Sequence, residues 1–174
     1  MRLIYQIAQK TQDDTTLMSY HHKLRESDED QLCLAAVHYL RGHYDDCIEI
    51  YKRLLQENKS KHSLYVYLAL CYYQQEQYEM SLETIQIYLN QFPQSPYAIN
   101  TKACNKFMIS SSKEADEEQQ KLQKAYEGGS LFDDNDLLRH NRCVFSDGES
   151  ALKIFPPLMD LYPEAKLNLI IFYL

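Results

Sequence analysis

Two neighbouring stretches of the chain share one pattern of apolar and polar residues, and this pattern constrains the fold more than any other feature. In residues 31–59 two amphipathic segments flank the polar turn RGHYDD, and in residues 64–93 two such segments flank the turn QEQYEM. Tyr44 and Tyr78 occupy the same place in the two turns, so the pattern repeats after 34 residues. Apolar residues three and four positions apart are typical of helices, and each stretch is therefore predicted to be a helical hairpin.

A repeat of about 34 residues is typical of tetratricopeptide helical hairpins. The sequence therefore predicts an all-α fold, a tetratricopeptide-repeat-like α-solenoid of antiparallel helical hairpins. We expect a single solenoid over residues 1–174, with hairpins at about 2–24, 28–58, 62–91, 96–126 and 132–161, and a lone terminal helix at 164–174. An irregular helical bundle is the alternative.

The register of the repeat is visible at equivalent positions of successive hairpins. In the second helices, small residues fall at Cys47, Ser81, Ala115 and Ala151, and the residues four positions later are Tyr51, Ile85, Gln119 and Phe155. In the first helices, small residues fall at Ala35, Ala69 and Ala103, whereas the fourth hairpin has Arg139. Small residues are needed where paired helices cross closely, and large ones fill the space between hairpins.

Local signals indicate where individual helices begin, end and pack. Ser27 and Asp30 resemble a capping box, and Gly42 is predicted to end the helix that follows them. The pair Pro156-Pro157 is expected to kink or split the last hairpin's second helix, and Pro163 to end it. Leu3, Ile4, Ile7 and Ala8 are predicted to share one apolar face. The helix after residue 112 has few apolar residues and is predicted to be largely exposed, followed by a loop at Gly128-Gly129.

The composition excludes several classes of function. The net charge of −7 argues against a broad surface for nucleic acid or for anionic membranes, because both need clustered Lys and Arg. No apolar run approaches the roughly 20 residues of a membrane-spanning helix, so direct membrane insertion is not expected. The five cysteines are widely spaced among apolar neighbours, and we expect reduced, buried thiols.

The sequence shows no pattern that is typical of a catalytic or metal site. No CxxC, HxxxH or HExxH spacing occurs. His43 and Cys47 are four residues apart, but the first lies in a turn and the second takes a small packing position. Asp133, Asp134 and Asp136 indicate a helix start rather than a calcium loop. The sequence therefore predicts a protein that is not an enzyme and has no cofactor or metal; a small helical enzyme is a disfavoured alternative.

With catalysis and metal binding disfavoured, protein binding is the remaining function. In a tetratricopeptide array the first helix of each hairpin is expected to line the concave face, which is the candidate binding surface. The residues predicted to project inward are Leu32, Ala36, Tyr39, Leu40, Val66, Leu70, Tyr73, Tyr97, Asn100, Cys104, Phe107 and Met108. This face is apolar and aromatic, and it suits an apolar helix or an extended strand of another protein. An equally weighted interpretation is that these side chains pack against neighbouring repeats of the same chain. Co-chaperone domains of this fold grip acidic tails with Lys, Arg and Asn, and here only Asn100 has a matching type.

Several strings carry a resemblance beyond the generic repeat. EDQLCLAAVHYLRGHYDDCIEIYKRLL, VYLALCYY, YAINTKACNKF, LLRHN and ALKIFPPLMDLYPEAKLNLIIFYL resemble the intraflagellar transport protein 56 family. The resemblance implies a non-enzymatic adaptor of the intraflagellar transport B complex. It would support cilium assembly and transport of motility-related cargo. The implied partners are other protein subunits of that complex and motility-related ciliary cargo.

The same resemblance implies a location in the cilium and axoneme, and in the cytoplasm around the basal body. It also implies that this chain is part of a longer array of repeats, because family members are longer. The alternative is a generic tetratricopeptide peptide-binding adaptor or co-chaperone module outside the cilium.

Overall fold

The computed structural model describes residues 1–24, 27–125 and 135–174, and within these ranges it contains helices and no strand. The helices are α1 (Arg2–Lys10), α2 (Asp14–His21), α3 (Asp28–Leu40), α4 (Tyr44–Glu57), α5 (Ser63–Gln74), α6 (Tyr78–Leu89), α7 (Pro96–Ile109), α8 (Ser112–Ala125), α9 (Asp136–Phe145), α10 (Ala151–Ile154) and α11 (Pro163–Phe172). The chain divides into two compact units, Met1–Thr84 and Ile85–Leu174. The predicted loop at Gly128-Gly129 and the predicted hairpin ends at 126 and 132–134 lie outside the described residues.

In the first unit, α1 packs against α2 and α3 through a small apolar cluster. Its buried residues are Tyr5, Ala8, Leu17, Cys33 and Val37. Of the four residues predicted to share one apolar face, only Ala8 is buried, whereas Leu3, Ile4 and Ile7 are exposed. Tyr5 takes the contact instead, since its ring is buried and its hydroxyl lies 3.2 Å from His21 Nδ1, so α1 turns its aliphatic side outward.

The main core of the first unit lies between α3, α4 and α5. Its buried residues are Ala35, Cys47, Ile48, Ile50, Tyr51, Leu54, Leu55, Leu64, Leu68, Cys71 and Tyr72.

Small residues lie at the helix crossings, as predicted. The Cys47 thiol donates to the Ala35 carbonyl (3.2 Å), and the Ser81 hydroxyl donates to the Ala69 carbonyl (2.7 Å). The same hydrogen bond therefore recurs in two hairpins after 34 residues.

The turns that close these two hairpins also share one backbone geometry. Gly42 adopts φ +76°, and the His43 amide donates to the His38 carbonyl at 2.9 Å. In the next hairpin, Glu76 adopts φ +60°, and the Gln77 amide donates to the carbonyl five residues earlier, also at 2.9 Å. Both are Schellman endings, in which a left-handed residue lets the last carbonyls of the helix find partners. The cap predicted at Ser27 is confirmed, because its hydroxyl accepts from the backbone amide of Asp30.

In the second unit, α8 buries polar side chains that the sequence predicts to be exposed. Glu118 is buried and pairs with Lys106 (2.9 Å) and Lys102 (3.4 Å) on α7. Gln119 is only 2% exposed. The expectation of a largely exposed helix is wrong at these positions, because hydrogen bonds and ion pairs from α7 replace apolar contacts. Ala115, at the predicted crossing, is fully buried.

The last part of the second unit contains a hairpin that proline interrupts, as predicted. Helix α10 ends at Ile154, and a 3₁₀ turn follows at Pro156–Leu158. Its core consists of Cys143, Ala151, Phe155, Leu158 and Ala165. The prediction that Pro163 ends this hairpin is wrong, because Pro163 is the first residue of α11. Its fixed φ suits the first helical position, and the amide hydrogen that it lacks would have no partner within the helix there.

All five cysteines are free thiols, and four of them are buried while Cys104 is partly buried. Burial raises the pKa of the Cys47 and Cys143 thiols to about 11 and that of Cys104 to about 12. These thiols therefore stay protonated at neutral pH and act as small packing groups. None of the helices in the described part of the chain is both long and apolar enough to cross a lipid bilayer.

Candidate functional site

An apolar cavity of about 480 Å³ opens on the surface of the first unit. It is called the α3–α5 groove here, and its lining residues are Leu32, Ala36, Tyr39, Leu40, Tyr51, Tyr67 and Leu70. The structure thus brings together five of the residues predicted to project inward. They come from α3 and α5, and Tyr51 of α4 joins them.

Helical spacing on α3 creates one wall of the α3–α5 groove. Leu32, Ala36, Tyr39 and Leu40 follow one another at intervals that keep them on one helix face. Leu40 is 67% exposed, so the rim of the groove is open to solvent. The Tyr39 hydroxyl accepts a hydrogen bond from Gln74 Nε2 at 3.2 Å.

Tyrosine rings make the rest of the groove aromatic and leave it uncharged. Tyr51 is 5% exposed, and its ring centroid lies 5.8 Å from that of Tyr67, which is 47% exposed. Burial raises the pKa of both Tyr39 and Tyr51 above the ordinary tyrosine value. Both hydroxyls therefore stay neutral, and none of the lining residues is charged.

The sequence prediction missed Tyr51 and Tyr67 as lining residues and included two others on α5. Val66 and Tyr73 are half-buried but do not line the groove. The Tyr73 ring instead packs against Tyr78, and the two ring centroids are 5.5 Å apart. Helix α5 presents Tyr67 and Leu70, three residues apart, instead of Val66 and Leu70. Both spacings fit a helix, so only the orientation of α5 decides between them.

The residues predicted for the third hairpin fall into two groups in the second unit. Tyr97, Phe107 and Met108 are exposed, and the Tyr97 hydroxyl accepts from Asn135 Nδ2 at 3.2 Å. Asn100 is only 7% exposed. Its side-chain oxygen accepts from Gln119 Nε2 at 3.1 Å, and its hydrogen bonds are thus made inside the unit.

Asn100 belongs to an amide network, defined here as Asn100, Gln119, Asn141, His140 and Asn168. Asn141 Nδ2 donates to the Asn100 oxygen at 3.1 Å, while Asn141 Oδ1 lies 2.9 Å from His140 Nδ1. His140 Nε2 lies 3.2 Å from Asn168 Nδ2. The network therefore connects helices α7, α8, α9 and α11. Within it, the buried Gln119 Oε1 has no hydrogen-bond partner among the described residues.

A third arrangement lies at the turn between α3 and α4. One ligand atom from each of His38, His43 and Asp46 falls within 4.8 Å of the other two. His38 Nδ1 is 3.5 Å from Asp46 Oδ2. Burial lowers the pKa of His38 although the Asp46 carboxylate opposes this shift. The sequence prediction of no metal site considered fixed motifs, and the spacing His-x₄-His-x₂-Asp is not among them.

Comparison with known proteins adds what the geometry alone does not give. The family model described as Intraflagellar transport protein 56 matches residues 1–174. The chain belongs to the intraflagellar transport protein 56 family. A curated relative, the Intraflagellar transport protein 56 homolog of Caenorhabditis elegans, is 32% identical over the whole of this chain. The chain spans 33% of the length of that relative.

Membership of the intraflagellar transport protein 56 family confirms the resemblance predicted from the sequence strings. The fold class is confirmed as well, because the chain is similar to a solved structure of the tetratricopeptide-repeat protein MamA AMB-1. The TM-score is 0.55 at 13% sequence identity, and the similarity covers 88% of this chain and 87% of that one. At this identity the similarity shows the fold alone.

Proposed function

We propose that this chain is a non-catalytic interaction scaffold of the intraflagellar transport B complex. In this proposal it is part of an adaptor subunit that supports cilium assembly and the transport of motility-related cargo. It works in the cilium and axoneme and in the cytoplasm around the basal body. Its partners are other subunits of the complex and motility-related cargo. Family membership and the repeat fold support the proposal.

The observation that carries the proposal is the α3–α5 groove. Its lining is apolar and aromatic, and Leu40 and Tyr67 leave large apolar surface exposed to solvent. Such a groove gains free energy when the apolar side of a partner segment covers it. We expect the occupant to be the apolar face of a helix or extended segment from another transport subunit.

The absence of charge in the groove weighs against the two other functions considered. A co-chaperone clamp for an acidic tail needs Lys or Arg, and none of the lining residues is basic. Acid–base catalysis needs a titratable group close to neutral pH, and the groove has only tyrosine hydroxyls to offer. The α3–α5 groove thus favours protein binding by apolar contact.

Substitution of an exposed groove residue tests the proposal without disturbing the core. In tagged full-length protein purified from ciliated cells, we expect Leu40→Asp to lower recovery of transport subunits by about tenfold or more, because it places a charge in a desolvated contact. Leu152→Asp is the matched control, since Leu152 is also exposed (55%) and lies in the other unit. Both variants are first compared with the unsubstituted protein by circular dichroism.

The outcomes separate the hypotheses. Loss of transport subunits with Leu40→Asp but not with Leu152→Asp supports the groove as the binding site. Unchanged recovery with a folded Leu40→Asp chain overturns the role of the groove. Recovery of chaperones without transport subunits by the unsubstituted protein overturns the scaffold assignment and favours the co-chaperone alternative.

A further inference from the structure

We propose that His38, His43 and Asp46 form a binding site for a divalent transition-metal ion of the zinc class at the turn between α3 and α4. The three residues offer two imidazole nitrogens and one carboxylate oxygen within 4.8 Å of one another. This donor set is called the His-His-Asp site below. It lies in the first unit and is separate from the α3–α5 groove in its residues.

The backbone of the turn explains why these three side chains converge. His38 lies in the last turn of α3, and the Schellman hydrogen bond from the His43 amide to the His38 carbonyl (2.9 Å) holds His43 beside it. Gly42 makes this bond possible through its left-handed φ. Asp46 lies three residues after His43, in the first turn of α4, and therefore on the same side of that helix.

The distances are close to those of a coordinated ion. Two ligands around tetrahedral zinc, each about 2.1 Å from the metal, lie roughly 3.3 to 3.5 Å apart. His38 Nδ1 and Asp46 Oδ2 are already separated by 3.5 Å. His43 and Asp46 are exposed, so their side chains can change rotamer without a backbone change. Such a rotation can bring the ring nitrogen of His43 closer to His38 Nδ1 and Asp46 Oδ2.

The donor chemistry selects the class of metal. Imidazole nitrogen suits zinc, copper and nickel, whereas calcium and magnesium prefer sites made of oxygen ligands. Three protein ligands leave a fourth position for water or for a side chain of another molecule. His21 is near, with its ring centroid 6.5 Å from that of His38, but its Nδ1 faces the Tyr5 hydroxyl at 3.2 Å.

The next hairpin provides an internal comparison. Its turn has the same Schellman geometry 34 residues later, but the equivalent positions are Tyr72, Gln77 and Met80. The turn geometry therefore belongs to the repeat, whereas the ligands belong to one hairpin. Metal binding is expected at the first of these two turns and not at the second.

Isothermal titration of the metal-free protein with zinc chloride tests the proposal. We expect one zinc ion per chain, with affinity lowered at least about tenfold by His43→Ala and by Asp46→Asn, since even indirect ligand contacts are worth that much. His22→Ala is the matched control, because His22 is exposed and outside the His-His-Asp site. Calcium chloride should give no binding at this site.

Each result decides the question. Stoichiometric zinc binding that both site variants weaken and His22→Ala leaves unchanged supports the site. No zinc binding by the unsubstituted protein overturns it, and so does binding that all three variants leave unchanged. Both site substitutions are at exposed positions, and circular dichroism with and without zinc verifies that each variant is folded.

Discussion

The core around Tyr51 in the first unit and the core around Gln119 in the second fill the same repeat position with opposite chemistry. Tyr51 is surrounded by Leu, Ile and Cys side chains of α3, α4 and α5. Gln119, 68 residues later, instead donates a hydrogen bond to Asn100. Both side chains are buried, so the repeat requires a large residue here but does not require an apolar one.

The two solutions differ in what holds them together. An apolar core tolerates changes in partners as long as the volume is filled. A buried amide needs donors and acceptors at defined distances, and each missing partner costs free energy. The comparison therefore predicts that loss of buried volume is the main cost of substitution in the first unit. In the second unit the main cost is predicted to be a buried polar group that is left without its hydrogen-bond partner.

The largest effect is expected where buried volume is removed. Tyr51→Ala should lower the free energy of unfolding by about 3 to 5 kcal/mol, the range for loss of a buried aromatic ring. Urea unfolding followed by circular dichroism measures this change. Tyr51→Phe keeps the ring and is the control, with a much smaller loss expected. A loss below about 1 kcal/mol for Tyr51→Ala would show that volume does not decide stability here.

A smaller effect is expected where a shared acceptor is removed. Asn100→Ala deprives two amide donors, those of Gln119 and Asn141, of their acceptor. We expect a loss of about 1 to 3 kcal/mol in the same unfolding experiment, because buried polar groups are left without partners. Met108→Ala, at an exposed position of the same helix, is the control. Equal losses for the two variants would contradict a role of the amide network in stability.

The smallest effect is expected for a change that removes polarity but keeps size. Gln119→Leu should leave the free energy of unfolding within about 1 kcal/mol of the original value. The lost hydrogen bond is offset because Gln119 Oε1 no longer needs a partner, and Asn100 still accepts from Asn141. Thermal unfolding of Gln119→Leu beside Gln119→Ala tests this. If leucine is as destabilising as alanine, volume is not the limiting factor at this position.

Much of the packing register could be predicted from the sequence. The 34-residue period places Tyr51, Ile85, Gln119 and Phe155 at one position, and all four are buried. The period could not show that Gln119 would be buried through hydrogen bonds, because polar character alone indicates exposure. Nor could it show which stripe of α1 is covered, since Leu3, Ile4 and Ile7 form an apolar pattern as clear as that of Tyr5 and Ala8.

The candidate site was predicted less completely, for a related reason. Spacing along α3 identified Leu32, Ala36, Tyr39 and Leu40, because residues on one helix face are neighbours whatever the helix packs against. The contribution of Tyr67 depends on the rotation of α5 about its own axis where it packs against α4. The pattern of apolar residues in one helix does not determine that rotation. The convergence of His38 and Asp46 depends on the turn between two helices, which motif spacings within one helix do not describe.

The Schellman turns at Gly42 and Glu76 have a consequence for folding kinetics. Each turn is closed by a hydrogen bond between residues only five positions apart, such as that from His43 to His38. Hairpins closed by such local contacts lower the contact order of the chain and favour rapid folding. In repeat arrays stability is also approximately a sum over units and their interfaces. A destabilising substitution in one hairpin is therefore expected to unfold that hairpin locally, while hairpins that it does not contact stay folded.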